Sequence, residues 1–104
     1  MFGMGKKIKA HDINQEIQQG TALLVDVRDD EEWDAGHAVG AMHLSVDRIL
    51  SGELPTQDTK EKIYLYCAAG GRAFRAASYL ESKGYQAECI GGLGDWKRSG
   101  GAVE

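Results

Sequence analysis

IYLYCAAGGRAFRAASYLESK, residues Ile63 to Lys83, is the stretch that decides the fold of this 104-residue chain. It starts with four residues of strand-like composition and continues through Cys67, small residues and two glycines. From Arg72 the pattern is helical. A strand, a tight loop and a helix in this order direct backbone N–H groups and a helix N-terminus at one point, which is typical of an anion site. The thiol of Cys67 stands at the mouth of that loop.

The predicted helix has a small-residue face and a poorly capped start. Its face is formed by Ala73, Ala76, Ala77 and Leu80. Such a stripe predicts close packing against a sheet. The start lacks a Ser, Thr, Asp or Asn cap, and Arg72 and Arg75 occupy the first turn, where acidic residues are favoured. An anion held at the loop would remove both conflicts, and Gly70 and Gly71 let the backbone curl around it.

The thiol of Cys67 shares this positive potential, so we expect its pKa to be lowered. The nucleophile and the anion site then coincide, and the N–H donors reduce the repulsion between a thiolate and an anionic substrate. Because no histidine lies within a few residues of Cys67, a histidine base would have to arrive by tertiary contact from His11, His37 or His43. The alternative is that Cys67 is an ordinary core residue at the end of a strand.

Working outward, the preceding segments alternate between strands and helices. Residues Ile8 to Ala10 predict a short edge strand, and Asp12 to Gln19 a helix whose N-cap is Asp12. The apolar run Ala22 to Val27 is typical of a parallel strand that is buried on both faces. Asp26 interrupts this run near its end, where it either caps the next turn or takes part in a site.

The acidic run Asp29 to Asp34 predicts a short helix whose N-terminal charges complement the helix dipole. We expect Trp33 to anchor that helix to the core, and Gly36 to end it. A metal site is disfavoured there, because nothing nearby completes an oxygen cage. Residues Ala41 to Leu44 then predict a short strand, and Val46 to Leu50 one or two helical turns.

Beyond that helix, Ser51 to Lys62 is polar and predicts a surface connection. After the opening stretch, Gln86 to Ile90 predicts the last strand, with Cys89 buried in it as a small apolar residue. The three glycines that follow predict a flexible turn, and they are Gly91, Gly92 and Gly94. Alternating strands and helices indicate an α/β fold with a mostly parallel central sheet flanked by helices in three layers.

Composition sets the remaining limits. The length predicts one domain covering residues 1–104. The net charge of −4 disfavours nucleic acid and anionic membranes as partners. No apolar run is long enough to span a membrane, and Met1 to Ala10 has lysines but no apolar stretch after them, which predicts a cytoplasmic protein. Two cysteines in dissimilar settings predict no disulfide framework, the histidines are not at metal-ligand spacing with them, and we expect no cofactor.

Three segments together resemble the single-domain rhodaneses, which are sulfurtransferases. They are LLVDVRDDEEWDAGHAVGA (Leu23 to Ala41), YLYCAAGGRA (Tyr64 to Ala73) and GGLGDWKRSGGAV (Gly91 to Val103). The resemblance implies that Cys67 is the nucleophile that carries sulfur. It also implies the substrate-binding loop, whose residues are Ala68, Ala69, Gly70, Gly71 and Arg72. It further implies framework roles for Asp26, Arg28, His37, Gly40 and Ala41, with Arg28 paired to a carboxylate.

In that family the cysteine takes the sulfane sulfur of thiosulfate, releases sulfite and passes the sulfur from a persulfide to cyanide or a thiol. The resemblance therefore implies a small anionic sulfur donor, a thiol or cyanide acceptor, and a sulfur-relay protein as a further partner. One departure concerns the residue after the cysteine, which is often basic in members that use thiosulfate and is Ala68 here. This departure bears on the choice of donor.

Three other functions remain open at this point. Phosphatases and arsenate reductases share the fold, but tyrosine phosphatases place five residues between cysteine and arginine, whereas Cys67 and Arg72 are separated by four. Some rhodanese-like domains only dock partners or sense redox state, although these commonly lack the cysteine. A persulfide carrier that receives its sulfur from another protein also fits the sequence.

Overall fold

The structure is a computed structural model that describes residues 9–104. Its helices and strands, in chain order, are α1 (Ala10–Gln18), β1 (Ala22–Asp26), α2 (Asp30–Ala35), β2 (Met42–His43), α3 (Val46–Leu50), β3 (Lys62–Cys67), α4 (Gly71–Ser82), β4 (Gln86–Gly92) and α5 (Leu93–Arg98). The four strands form one sheet in the order β2-β1-β3-β4, and every neighbouring pair is parallel. The predicted α/β fold with a parallel central sheet is confirmed.

Helices cover both faces of this sheet and create two cores. On one face, α3 and α4 pack over Val25, Ile63 and Leu65. The stripe predicted for α4 is the buried side of that helix, and it consists of Ala73, Ala76, Ala77 and Leu80. On the opposite face, α1 and α5 pack over Leu24 and Tyr66. The result is the expected three-layer arrangement, with the small side chains of α4 allowing a close approach to the sheet.

The two central strands owe their position to apolar sequence on both faces. Four of the five residues of β1 are buried, and so are all residues of β3 from Ile63 to Cys67. Since successive strand residues point to opposite faces, Tyr66 lies on the α1 face and Cys67 on the α4 face. The strand that ends at Cys67 is therefore fixed by packing on either side.

A buried polar network closes the end of β1. Asp26 is fully buried and accepts three hydrogen bonds from the Arg28 side chain, the shortest from Arg28 Nη2 to Asp26 Oδ2 at 2.6 Å. The Tyr66 hydroxyl donates to Asp26 Oδ2 at 2.7 Å and accepts from the Ala38 N–H at 2.9 Å. The expected pairing of Arg28 with a carboxylate is confirmed. The hydrogen bonds of the Asp26 carboxylate go to Arg28 and Tyr66, so its role is structural.

Several boundary predictions need correction. Ala10 begins α1, so it does not belong to the predicted edge strand Ile8 to Ala10, whose residue Ile8 lies outside the described range. The N-cap of α1 is Lys9, and Asp12 lies in the first turn. At the other end, β4 continues through Gly92, so Gly91 and Gly92 are strand residues where a flexible turn was predicted. Gly94, the third glycine of that turn, lies within α5.

The surroundings of Trp33 also differ from the prediction. The helix α2 has no buried residue, and Trp33 is only half-buried. Its indole stacks on His37 at 3.5 Å between ring centroids and on His43 at 4.9 Å. The tryptophan thus anchors α2 to two imidazoles at the edge of the molecule. Within residues 9–104, no helix has the length and apolar character required to cross a membrane.

Candidate active site

Cys67 is the last residue of β3, and its side chain is 1% exposed beneath the loop that leads into α4. The Gly70 N–H donates a hydrogen bond to Cys67 Sγ at 3.0 Å, and the Ala73 N–H donates a second at 3.4 Å. The loop was predicted to curl around an anion, and it curls around the sulfur of its own cysteine.

This arrangement explains the poorly capped start of α4. The N-cap is Gly70, which has φ +115° and no side chain that could accept a hydrogen bond. A β-carbon would be strained in that conformation, so glycine is required there. The Ala73 N–H, which has no partner within the helix, finds one in Cys67 Sγ. The sequence predicts a bound anion at this terminus, and the structure places the sulfur of Cys67 there as the hydrogen-bond acceptor.

Two opposing influences set the pKa of the Cys67 thiol. Burial raises it, because the charged thiolate loses its hydration. The N–H groups of the loop and of the first turn of α4 favour the thiolate and lower it, and they belong to Ala73, Gly70, Ala69 and Arg72. The hydrogen bonds outweigh burial, so the pKa of Cys67 lies below its ordinary value. A larger share of the thiol is then nucleophilic at neutral pH.

The side chain of Arg72 does not point at the sulfur. It forms a bidentate ion pair with Glu32 of α2, with Nη1 at 2.7 Å from Oε1 and Nη2 at 3.0 Å from Oε2. The hydrogen bond from Arg72 lowers the pKa of Glu32 to about 2. Arg75 is exposed and lies beyond the first turn, because α4 begins at Gly71. The unfavourable positive charge of Arg72 at the start of α4 is therefore neutralised by Glu32.

Glu32 is the site residue that the sequence interpretation missed. We assigned the acidic run to the helix dipole only. A stronger signal was available: Asp29 and Glu32 have the spacing of a capping box, and both of its hydrogen bonds form. That box fixes the direction of the Glu32 side chain. Its partner Arg72 is distant in sequence, and the pairing depends on the parallel order of β1 and β3.

A bulge in β4 supports the loop from below. Leu65 pairs with Cys89 and Cys67 pairs with Gly92, so two residues of β4 face one residue of β3. This shift brings Gly92 against the loop, where a β-carbon would overlap the carbonyl group of Ala68. Only glycine fits at position 92. The predicted flexible turn is in fact the surface on which the loop rests.

Cys89 differs from the prediction of a buried apolar residue. It is half-buried, and its thiol donates to the carbonyl oxygen of Gly70 at 3.4 Å while accepting from the Gly91 N–H at 3.4 Å. Burial raises the pKa of the Cys89 thiol, and the single N–H donor does not compensate. The pKa values of the two neighbouring thiols are therefore shifted in opposite directions.

The side chains of His37 and His43 form hydrogen bonds with backbone carbonyl groups away from Cys67. His37 Nδ1 lies 2.9 Å from the carbonyl oxygen of Trp33, and His43 Nε2 lies 2.7 Å from that of Arg28. Since a carbonyl oxygen can only accept, both imidazoles donate there. His11 is exposed on α1, on the face of the sheet opposite Cys67. The thiolate of Cys67 is thus favoured by backbone N–H groups and not by a histidine base.

The structure brings all six predicted loop residues together around one sulfur atom. Ala68, Ala69 and Gly71 are exposed, Gly70 and Arg72 are half-buried, and Cys67 is buried. The part of the loop residues in binding a donor stays a prediction. The hydrogen bonds from the Gly70 and Ala73 N–H groups to Cys67 Sγ are present in the structure.

Comparison with known proteins places this arrangement in a family. The pattern of the family described as rhodanese-like domain matches residues 9–99. A tRNA uridine(34) hydroxylase from Hamiltonella defensa is 31% identical over 87 residues, which are 79% of this chain and 24% of the relative. The chain thus spans about a quarter of the length of that protein.

Solved structures agree with this match. A rhodanese-like domain protein from Staphylococcus aureus has a TM-score of 0.71 and 28% identity, covering 94% of this chain and 97% of its own. A rhodanese-like domain from Anabaena sp. has a TM-score of 0.73 and 28% identity, covering 97% of this chain and 80% of that one. From the match over residues 9–99 and the shared fold, we conclude that this chain belongs to the rhodanese-like domain family.

Proposed function

We propose that this protein is a sulfurtransferase that carries a sulfane sulfur as a persulfide on Cys67. The observation that supports this most directly is the convergence of backbone N–H groups on Cys67 Sγ, together with the lowered pKa of that thiol. A nucleophile stabilised by backbone dipoles can attack and leave without a proton transfer. Membership of the rhodanese-like family adds weight to this reading.

The reaction follows two covalent steps. In the first, the Cys67 thiolate attacks the outer sulfur of thiosulfate or of a persulfide. A new S–S bond forms at Sγ, the donor's S–S bond breaks, and the electron pair leaves with sulfite or a thiolate. In the second, cyanide or a thiolate of a small molecule or partner protein attacks the outer sulfur, and Cys67 leaves as a thiolate. The N–H groups of Gly70 and Ala73 stabilise that leaving group.

A phosphatase is the weaker alternative. That chemistry needs the arginine of the loop to hold a phosphoryl group over the cysteine, whereas the Arg72 guanidinium is bound to Glu32. A pure docking module would have no use for a thiol with a lowered pKa. A persulfide carrier differs from the proposed enzyme only in its donor, and it uses the same two steps.

Intact-mass spectrometry after incubation with thiosulfate, and separately with glutathione persulfide, tests the proposal. We expect one added sulfur on the wild-type protein and on the matched Cys89→Ser variant, and none on Cys67→Ser. Cyanide should then remove the sulfur and yield thiocyanate. An unmodified wild-type protein with both donors, combined with hydrolysis of an aryl phosphate, would overturn the proposal.

A further inference from the structure

The ion pair between Arg72 and Glu32 stands beside the reactive sulfur and controls the charge of the site. Both side chains are about one-third exposed, at 34% and 29%. The contact is bidentate, which is the strongest geometry available to an arginine and a carboxylate. Glu32 Oε1 also accepts from the Asp29 N–H at 3.2 Å, so the carboxylate is held from two directions. The guanidinium is therefore committed to Glu32.

This commitment leaves the loop without a free positive charge. Arg72 is the only basic residue between Cys67 and the first turn of α4, and the other four residues of the loop are alanines and glycines. The pair of Arg72 with Glu32 has no net charge, and the thiolate of Cys67 contributes a negative one. Within the loop, only backbone N–H dipoles remain to attract a donor, and two of them already bond to Cys67 Sγ.

The charge of the donor then decides how well it approaches. Thiosulfate is a dianion, and it brings two negative charges towards a site whose net charge is already negative. An organic persulfide brings at most one charge at its reacting end, and none when protonated. Repulsion between like charges is stronger in a half-buried site than in water. The site as built disfavours thiosulfate relative to a persulfide.

We propose that Glu32 is a positioning residue that sets donor specificity: by holding Arg72 away from the reacting sulfur, it selects persulfides over dianionic donors. This inference rests on the proposed function, namely that Cys67 accepts a sulfane sulfur. It narrows the donor class and gives the acidic run of α2 a role in the site. Glu32 itself contacts no reacting atom, since its partners are Arg72 and the N–H of Asp29.

The test compares Glu32→Gln with Glu31→Gln. Glutamine at position 32 keeps the spacing of the capping box, so α2 retains its start while Arg72 loses its ionic partner. Glu31 is exposed on the same helix, and its substitution changes the net charge of the protein by the same amount. Rates of Cys67 persulfidation are measured with thiosulfate and with glutathione persulfide at low and high ionic strength.

For wild type and Glu31→Gln we expect a higher kcat/KM with glutathione persulfide than with thiosulfate. In Glu32→Gln the kcat/KM for thiosulfate should rise about tenfold, mainly through a lower KM, and high salt should reduce the gain, since one freed charge now attracts the dianion. The value for glutathione persulfide should change less than about twofold, because the protonated persulfide that the thiolate attacks is uncharged at its reacting sulfur and the carboxylates lie several bonds away, where they are screened. Adding Arg72→Gln to Glu32→Gln should abolish the gain.

Unchanged or reduced thiosulfate use in a folded Glu32→Gln protein would overturn the inference while leaving the proposed function intact. So would a wild-type preference for thiosulfate. If Glu32→Gln does not fold, the double variant Glu32→Gln/Arg72→Gln, which keeps the zero net charge of the pair, decides the matter. Thiosulfate use at the wild-type level supports the inference, and a loss of it contradicts the inference. Failure of both donors to modify Cys67 in every variant would instead overturn the proposed function and this inference with it.

Discussion

Cys67 and Cys89 lie on neighbouring strands and contact the two ends of the same residue, Gly70, yet their chemistry differs. The Gly70 N–H donates to Cys67 Sγ, whereas the Cys89 thiol donates to the Gly70 carbonyl oxygen. The pKa of Cys67 is lowered and that of Cys89 is raised, although Cys67 is the more buried of the two. Burial raises the pKa of both thiols, and the number of N–H groups at each sulfur decides the direction of the shift: four outweigh burial at Cys67, and the single one at Cys89 does not.

The largest expected effect is the difference in reactivity between the two thiols. In single-cysteine variants at pH 7, Cys67 in Cys89→Ser should react with iodoacetamide about tenfold faster than Cys89 in Cys67→Ser, because a lowered pKa enlarges the thiolate fraction. With rising pH, the Cys67 rate should reach half of its maximum below about 8.5, the ordinary thiol pKa, and the Cys89 rate above it. If exposure alone set the alkylation rates, Cys89 would react faster than Cys67. Faster alkylation of Cys89 would therefore refute the explanation by N–H hydrogen bonds.

A smaller effect is expected when the support of the loop is disturbed. In Gly92→Ala the new β-carbon overlaps the carbonyl group of Ala68, so the loop must shift. The hydrogen bonds from the loop N–H groups to Cys67 Sγ are then weakened. We expect alkylation of Cys67 to slow about threefold to tenfold at neutral pH as its pKa rises towards the ordinary value.

Gly71→Ala is the matched control, since a β-carbon at Gly71 meets nothing within 4 Å. It should leave the alkylation rate unchanged. Equal rates in Gly92→Ala, Gly71→Ala and wild type would mean that the contact with Gly92 has no part in tuning the thiol.

The smallest effect on the two thiols is expected from Tyr66→Phe. This change removes the hydroxyl that bonds to Asp26 and to the Ala38 N–H, on the face of the sheet opposite Cys67. The free energy of unfolding in urea should fall by about 1 to 3 kcal/mol, because a buried N–H loses its partner. Alkylation rates of both thiols should stay at wild-type values, and a changed ratio would show that the network around Asp26 reaches the site.

Much of the fold could be predicted because local sequence and tertiary packing agree. The apolar run of β1 and the alanine stripe of α4 each have only one way to be buried, and both were identified correctly. The strand, loop and helix around Cys67 were predicted from the same local pattern, and the structure has them in that order. The predicted boundaries were wrong at Ala10, which begins α1, and at Gly91 and Gly92, where pairing with β3 extends β4.

The partners within the site could not be predicted in the same way. Arg72 and Glu32 are far apart in sequence, and their contact requires β1 and β3 to be adjacent. Local sequence showed that α4 has no capping side chain. It could not show that the sulfur of Cys67, at the end of β3, accepts the hydrogen bond in place of a cap. Trp33 was misplaced for a related reason, since its stacking partner His43 comes from a different element.

The sulfur atom that ends β3 also closes the first turn of α4, so the nucleophile is part of the hydrogen bonding of the helix. Any group added to Sγ must lengthen, weaken or redirect those two bonds. The amide protons of Gly70 and Ala73 therefore report the chemical state of the cysteine. In an NMR spectrum their shifts and exchange rates give a direct, label-free record of each step of sulfur loading and discharge.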